Sequence, residues 1–163
     1  MVLSYILAIV VAVLVIVIDQ LSKLLIVNNF ELLTCFPLIK GVFDFNYIHN
    51  SGAAWGMLSG KRMLLVAITL VIMAVCVAWL VNAAKKNEKL SFWAVAVVLA
   101  GGVGNMLDRI FRGGEVVDFI QFAFWKSFPV FNIADCAIVI GCGLLVLSFL
   151  LDTIKEIRAK KGI

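Results

Sequence analysis

Apolar residues in this chain are gathered into four long runs separated by short polar stretches. The first extends from Val2 to Ile18 and resumes from Leu24 to Val27 after Asp19, Gln20 and Lys23; the others cover Met63 to Val81, Ser91 to Leu107 and Asn132 to Leu151. A hydrocarbon core is crossed by roughly 20 apolar residues of helix. The runs therefore predict four transmembrane helices, with spans of about 2–27, 63–81, 91–110 and 132–151 in a single integral domain covering 1–163. The first run has no Lys or Arg before it and no A-x-A site after it, and more apolar sequence follows. That pattern predicts an uncleaved span, not a signal peptide.

The polar segments have their own periods. Phe43, Phe45 and Tyr47 alternate with Asp44 and Asn46, the two-residue period of a half-buried strand. The chain then enters HNSGAAWGML, where Gly52 and Gly56 flank Trp55, an indole suited to the membrane interface. A strand patch and a short surface segment are expected in the outer loop 28–60. In the second outer loop, 111–131, Gly113 and Gly114 mark a turn, Glu115 to Phe122 reads as a strand or extended segment, and Trp125, Lys126 and Pro129 read as interface and breaker residues. Gly101, Gly102 and Gly104 follow no strand, so close helix packing is expected of them, not a nucleotide loop.

Composition supports the membrane reading. The chain of 163 residues is 64% hydrophobic and 15% charged, with mean hydropathy +1.12, more apolar surface than one soluble core buries. Net charge is only +4 and the basic residues form no stripe, which disfavours nucleic acid as a partner. Cys35, Cys76, Cys136 and Cys142 lack C-x-x-C spacing, so buried free thiols are expected, not zinc ligands or disulfides. Of the 14 Lys and Arg residues, Lys85, Lys86, Lys89, Lys155, Arg158, Lys160 and Lys161 crowd into loop 82–90 and tail 152–163. Basic density marks the cytoplasmic side. Both termini are thus expected to be cytoplasmic, with loops 28–60 and 111–131 outside.

Candidate chemistry collects at one level of the bilayer. Asn105, Asp108, Arg109, Asp118, Asn132 and Asp135 lie where apolar runs end, and ionisable groups at that depth suggest function. Asp19 and Lys23 have the spacing and order of a helical ion pair. Asn105 shares a helix face with Asp108 and Arg109. Asn132 and Asp135 have the spacing of a capping box, but capping alone requires no second carboxylate, and Asp118 supplies one. Two carboxyls sharing a proton can activate water and protonate a leaving amine. His49 is the only histidine and is expected to be an interfacial polar residue; no Ser or Cys sits in a nucleophile motif. These features exclude a His-rich metal site and leave two other readings open. A proton-coupled transporter would spread carboxylates through the membrane depth, and a scaffold subunit would use the glycines without paired Asp.

Five blocks in order carry a resemblance: DQLSK at Asp19–Lys23, HNSGAAWG at His49–Gly56, GGVGNMLDR at Gly101–Arg109, VVDF at Val116–Phe119 and FNIAD at Phe131–Asp135. They cover nearly the whole chain, and the chain resembles the bacterial lipoprotein signal peptidases, or signal peptidases II. The resemblance implies an aspartic endopeptidase of the bacterial cytoplasmic (inner) membrane. It would remove the signal peptide from diacylglyceryl-modified prolipoproteins, cutting before the lipidated cysteine, with no cofactor or metal. Asp118 and Asp135 match the catalytic pair; Asn50, Gly52, Asn105, Arg109 and Asn132 match residues that bind substrate or support the pair, and Asp19 and Lys23 a supporting ion pair. The implied fold class is an all-α membrane protein, four transmembrane helices with a small extramembrane β platform and a short, mobile surface helix on the outer face. The implied partners are the diacylated prolipoprotein and membrane lipid, and the protein is expected to be a monomer. Because Asp135 would sit in the first turn of a helix, where the dipole favours an anion, the shared proton is expected on Asp118.

Overall fold

A computed structural model describes residues 2–161; Met1, Gly162 and Ile163 lie outside the described residues. Four helices, α1 (Val2–Asn29), α2 (Arg62–Lys86), α3 (Lys89–Phe111) and α4 (Ile133–Lys161), are joined by a sheet of β1 (Cys35–Ile39), β2 (Phe43–Asn50) and β3 (Val116–Phe122) and a 3₁₀ turn, Ala54–Gly56. All four helices are long and apolar enough to cross a membrane. Large apolar side chains such as Val13, Leu14, Val71, Val75 and Phe149 stand exposed on their outer faces. In a bilayer such faces meet lipid at no cost, whereas in water they would aggregate.

α3 is the central helix and packs on the other three. Its small residues set the distances: a Cβ on Gly101 would collide with the Ala134 carbonyl oxygen and the Ile138 side chain of α4, and one on Gly104 would lie 2.6 Å from Asp19 Oδ2 of α1. From the other side, a Cβ on Gly141 would lie 2.5 Å from Val98 Cγ2. The expected packing role of Gly101 and Gly104 is therefore met, while Gly102 faces ordinary space near Met73. At the lysine-rich end, Ala8, Ala83, Phe92 and Ala96 form a second, small-residue core.

Three sequence boundaries differ. The loop expected at 82–90 shrinks to Asn87 and Glu88, with Asn87 in the left-handed conformation (φ 61°) that closes α2. Helical hydrogen bonding continues where hydropathy stops, so Lys85, Lys86 and Lys89 lie on helix ends. For the same reason α4 runs through the expected tail as far as Lys161. The surface helix is a single 3₁₀ turn with Trp55 at φ 55°. The cysteines are free, but none is buried: Cys35 and Cys142 are exposed and the other two intermediate. Cys142 lies on the outer face of a spanning helix, where a thiol needs no core.

The sheet order is β1-β2-β3, antiparallel throughout. Its inner face carries Phe45, Tyr47, Val117 and Phe119 onto Ile26 of α1. Phe45 and Tyr47 are buried as their alternation predicts. β1 is unannounced by the sequence, since CFPLI does not alternate, is exposed along its length and contains Pro37. Proline is tolerated in it because β1 is an edge strand.

Candidate active site

The start of α4 is built first. The Asp135 N–H donates to Asn132 Oδ1 at 3.0 Å, and the Asn132 backbone N–H donates to Asp135 Oδ2 at 3.0 Å. This is a reciprocal capping box satisfying two otherwise free N–H groups. Capping fixes the Asp135 carboxyl but uses only one of its oxygens. Oδ1 accepts from Asn105 Nδ2 of α3 at 2.7 Å.

β3 delivers the second carboxyl. Asp118 is 2% exposed and accepts from Asn132 Nδ2 at 2.6 Å on Oδ1 and from Asn50 Nδ2 at 2.9 Å on Oδ2. Asn132 therefore bonds both carboxyls at once. Burial pushes the Asp118 carboxyl up to about 7, and the nearby Asp135 adds to the effect, while the Asn50 and Asn132 hydrogen bonds and Lys23 oppose it. A carboxyl in this range holds a proton at neutral pH and can release it nearby.

Below the pair lies a buried ionic cluster. Lys23 Nζ reaches Asp19 Oδ2 and Asp108 Oδ2, each at 2.9 Å, and donates to Asn105 Oδ1 at 3.1 Å. All three groups, Asp19, Lys23 and Asp108, are fully buried. An ammonium only donates, so Asn105 must turn its oxygen to Lys23 and its NH₂ to Asp135. Asp19 Oδ1 also accepts from the Ala134 N–H at 2.9 Å, tying α1 to the start of α4. Asp108 accepts from the Val117 N–H at 3.2 Å and from Arg112 Nε at 3.2 Å. It thus holds β3 one residue before Asp118.

Asn50, Gly52, Arg109, Asp118 and Asp135 line a cavity of about 490 Å³. One wall is apolar, formed by Ile138, Val139 and Ile140 of α4, and another is aromatic, with Trp55, Phe128 and Phe131. Arg109 Nη2 donates to the Gly52 carbonyl at 3.1 Å and Gly52 N–H to Asn50 Oδ1 at 2.9 Å. A side chain on Gly52 would lie 2.8 Å from Met57 O, so only glycine lets the 53–57 turn fold back here. Arg109 Nε is buried with no partner among the described residues.

Known proteins show the family and the fold. The family model described as "Signal peptidase (SPase) II" matches residues 11–151. The chain belongs to the signal peptidase II family. It is 43% identical over 144 residues to the "Lipoprotein signal peptidase" of Bacillus pumilus (strain SAFR-032), covering 88% of this chain and 92% of that protein. It is similar in fold to two solved structures titled "Bacterial membrane enzyme structure by the in meso method", at 2.3 and 1.9 Å resolution. The first has TM-score 0.82 and 36% identity, covering 90% of this chain and 88% of that one; the second has 0.78 and 35%, covering 88% and 92%. As a member of the signal peptidase II family the protein is a peptidase that processes signal peptides, and its four apolar helices make it a multi-pass membrane protein.

All nine residues that the resemblance implied for the site meet in this signal peptidase II chain. Asp118, Asp135, Asn50, Gly52, Asn105, Arg109 and Asn132 surround the cavity or the hydrogen bonds beneath it, and Asp19 and Lys23 lie one layer deeper. Asp108 is the residue left out of that set. Its signal was its position, a second buried-depth acid three residues from Asn105 and four from Arg112, yet the N–H it holds belongs to a strand beyond the Gly113–Gly114 turn.

Proposed function

We propose that this peptidase uses Asp118 and Asp135 as an aspartic pair to cut prolipoproteins just before a diacylglyceryl-bearing cysteine. The observation that carries the reading is the joining of two carboxyls through Asn132 at the inner end of a cavity with one apolar wall. Protonated Asp118 and anionic Asp135 divide the work. Water gives a proton to Asp135 as its oxygen attacks the scissile carbonyl carbon, and Asp118 gives its proton to the carbonyl oxygen. Collapse of the tetrahedral diol breaks the C–N bond. The proton on Asp135 passes to the departing cysteine nitrogen, and a diol hydroxyl returns one to Asp118.

The remaining residues bind and orient. Arg109 holds the Gly52 carbonyl and keeps Nε for a peptide carbonyl of the substrate. Ile138, Val139 and Ile140 offer an apolar wall on which acyl chains can enter from the bilayer. Basic density at Lys85, Lys86, Lys89 and the α4 end supports cytoplasmic termini and a site at the outer face. The chemistry needs one copy of the chain, so the active form is a monomer. Incubating the purified protein in lipid with a diacylated prolipoprotein and its unlipidated precursor tests the proposal. Cleavage of only the lipidated form, persisting in EDTA, is expected; equal cleavage of both, or zinc-restored loss in EDTA, would contradict it.

A further inference from the structure

Asn50 is the last residue of β2, and its hydrogen bond to Asp118 depends on where that strand end lies. The ladder is interrupted before it reaches that end: pairing shifts between Phe45 and Ile48, where Asn46 and Tyr47 lie opposite Phe119 alone. Beyond this bulge only Ile48↔Asp118, His49↔Val117 and Asn50↔Val116 remain before the chain turns away. Strand ends with so few pairs are where local opening is cheapest.

Two diagonal side-chain contacts cross this end, one on each face. On the face bearing the dyad, Asn50 leans back along β3 to Asp118. On the opposite face His49 leans the other way: its Nδ1 lies 3.1 Å from Glu115 Oε2, two residues before its partner Val117. Its Nε2 lies 2.8 Å from the buried Tyr47 hydroxyl. Sliding β2 along β3 in either direction lengthens one diagonal. The pair is a cross-brace.

We propose that His49, held between the Tyr47 hydroxyl and the Glu115 carboxylate, is a positioning residue of the reaction, bracing β2 against β3 so that Asn50 stays on Asp118. Both contacts can be made by either form of the imidazole. Neutral His49 donates from Nδ1 to Glu115 and accepts from Tyr47 on Nε2; charged, it donates to both. Burial pushes the Tyr47 hydroxyl up, against the pull of Arg112, so Tyr47 keeps its proton. The charged and titratable groups around His49 are Glu115, Tyr47 and Arg112, and those around Asp118 are Asp135, Lys23 and Arg109.

The inference rests on the catalytic reading of Asp118, and its test includes a readout independent of catalysis. Glu115, a half-exposed residue, is replaced in Glu115→Ala, which keeps the fold even if His49→Ala does not. Each variant is expected to lower kcat roughly 3- to 10-fold, the scale of one or two partly exposed hydrogen bonds, with KM unchanged. Losing the Asn50 donor raises the pH at which Asp118 gives up its proton. ¹³C-labelled Asp118 should therefore titrate higher in both variants and in Asn50→Ala, and His49→Ala added to Asn50→Ala should cost nothing further. His49→Gln, which can donate and accept in the same places, should recover most of the loss. Unmoved Asp118 titration, or losses that multiply with Asn50→Ala, would overturn the brace even if cleavage by the dyad stands. An inactive-dyad result would instead appear as Asp118→Asn retaining activity.

Discussion

Asp118 is buried among donors; in the proposed mechanism it keeps and gives up a proton, and its surroundings set the pH at which it can. Held up to about 7 mainly by burial, it is protonated below that pH and loses its proton as pH rises through it. The alkaline limb of kcat/KM should accordingly fall near pH 7. In Asp135→Asn the neighbouring charge is gone while burial remains, so the Asp118 carboxyl should titrate lower than in the wild type but still above an ordinary carboxyl. Infrared titration of the labelled carboxyl in lipid checks this, and an unchanged or higher value would show that the two groups are not coupled. Lys23 makes a different demand. Lys23→Met leaves Asp19 and Asp108 buried with one counter-charge fewer and frees the Asn105 amide to turn. Breaking a buried pair costs about 3–5 kcal/mol, which thermal unfolding in detergent should register as a marked drop. An unchanged midpoint would mean the cluster is solvated.

The helices place these residues through glycines whose spacing has a measurable consequence. Gly101→Ala and Gly104→Ala should each destabilise, by about 1–3 kcal/mol for an overpacked contact, since both press on backbone or on Asp19. Gly102→Ala meets only Met73 at 3.7 Å and should be neutral or gain up to about 1 kcal/mol of helix propensity. Equal effects at all three positions would refute the packing account. The elements were legible in the sequence to different degrees. Apolar runs announced α1 to α4 because lipid demands apolar length, and the alternation through Tyr47 announced β2. Helix ends were not announced at Lys86 or Lys161, because charge stops membrane burial without stopping hydrogen bonding. β1 was hidden because an exposed edge strand needs no pattern. In the site, residue types and block order exposed Asp118, Asp135 and the asparagines. The Asp108 bond to Val117 N–H and the His49–Glu115 contact were not legible, since each depends on how β3 returns after the Gly113–Gly114 turn and on the bulge in β2.

At the scale of the whole molecule, one end of the bundle carries the sheet, the cavity, Asp118 and Asp135, and the other carries Lys85, Lys86, Lys89 and the basic end of α4. Reporters fused after Lys86 and at the C-terminus should therefore report cytoplasm, and one inserted near Lys40, in the β1–β2 turn, the outer side. Lys40 and Lys86 on the same side would break the four-span topology. Under the proposed function this arrangement suits a peptidase whose substrate is anchored in the same bilayer, because Ile138, Val139 and Ile140 of α4 give an apolar wall to the cavity that Asp118 and Asp135 also line. The most direct test is the cleavage rate of a diacylated prolipoprotein by the wild type, Asp118→Asn and Asp135→Asn in the same lipid, each confirmed folded by thermal unfolding. Loss of proton transfer at either position predicts a fall of roughly 10²–10⁴-fold or more in each variant. Either variant cleaving within tenfold of the wild type would contradict the aspartic pair.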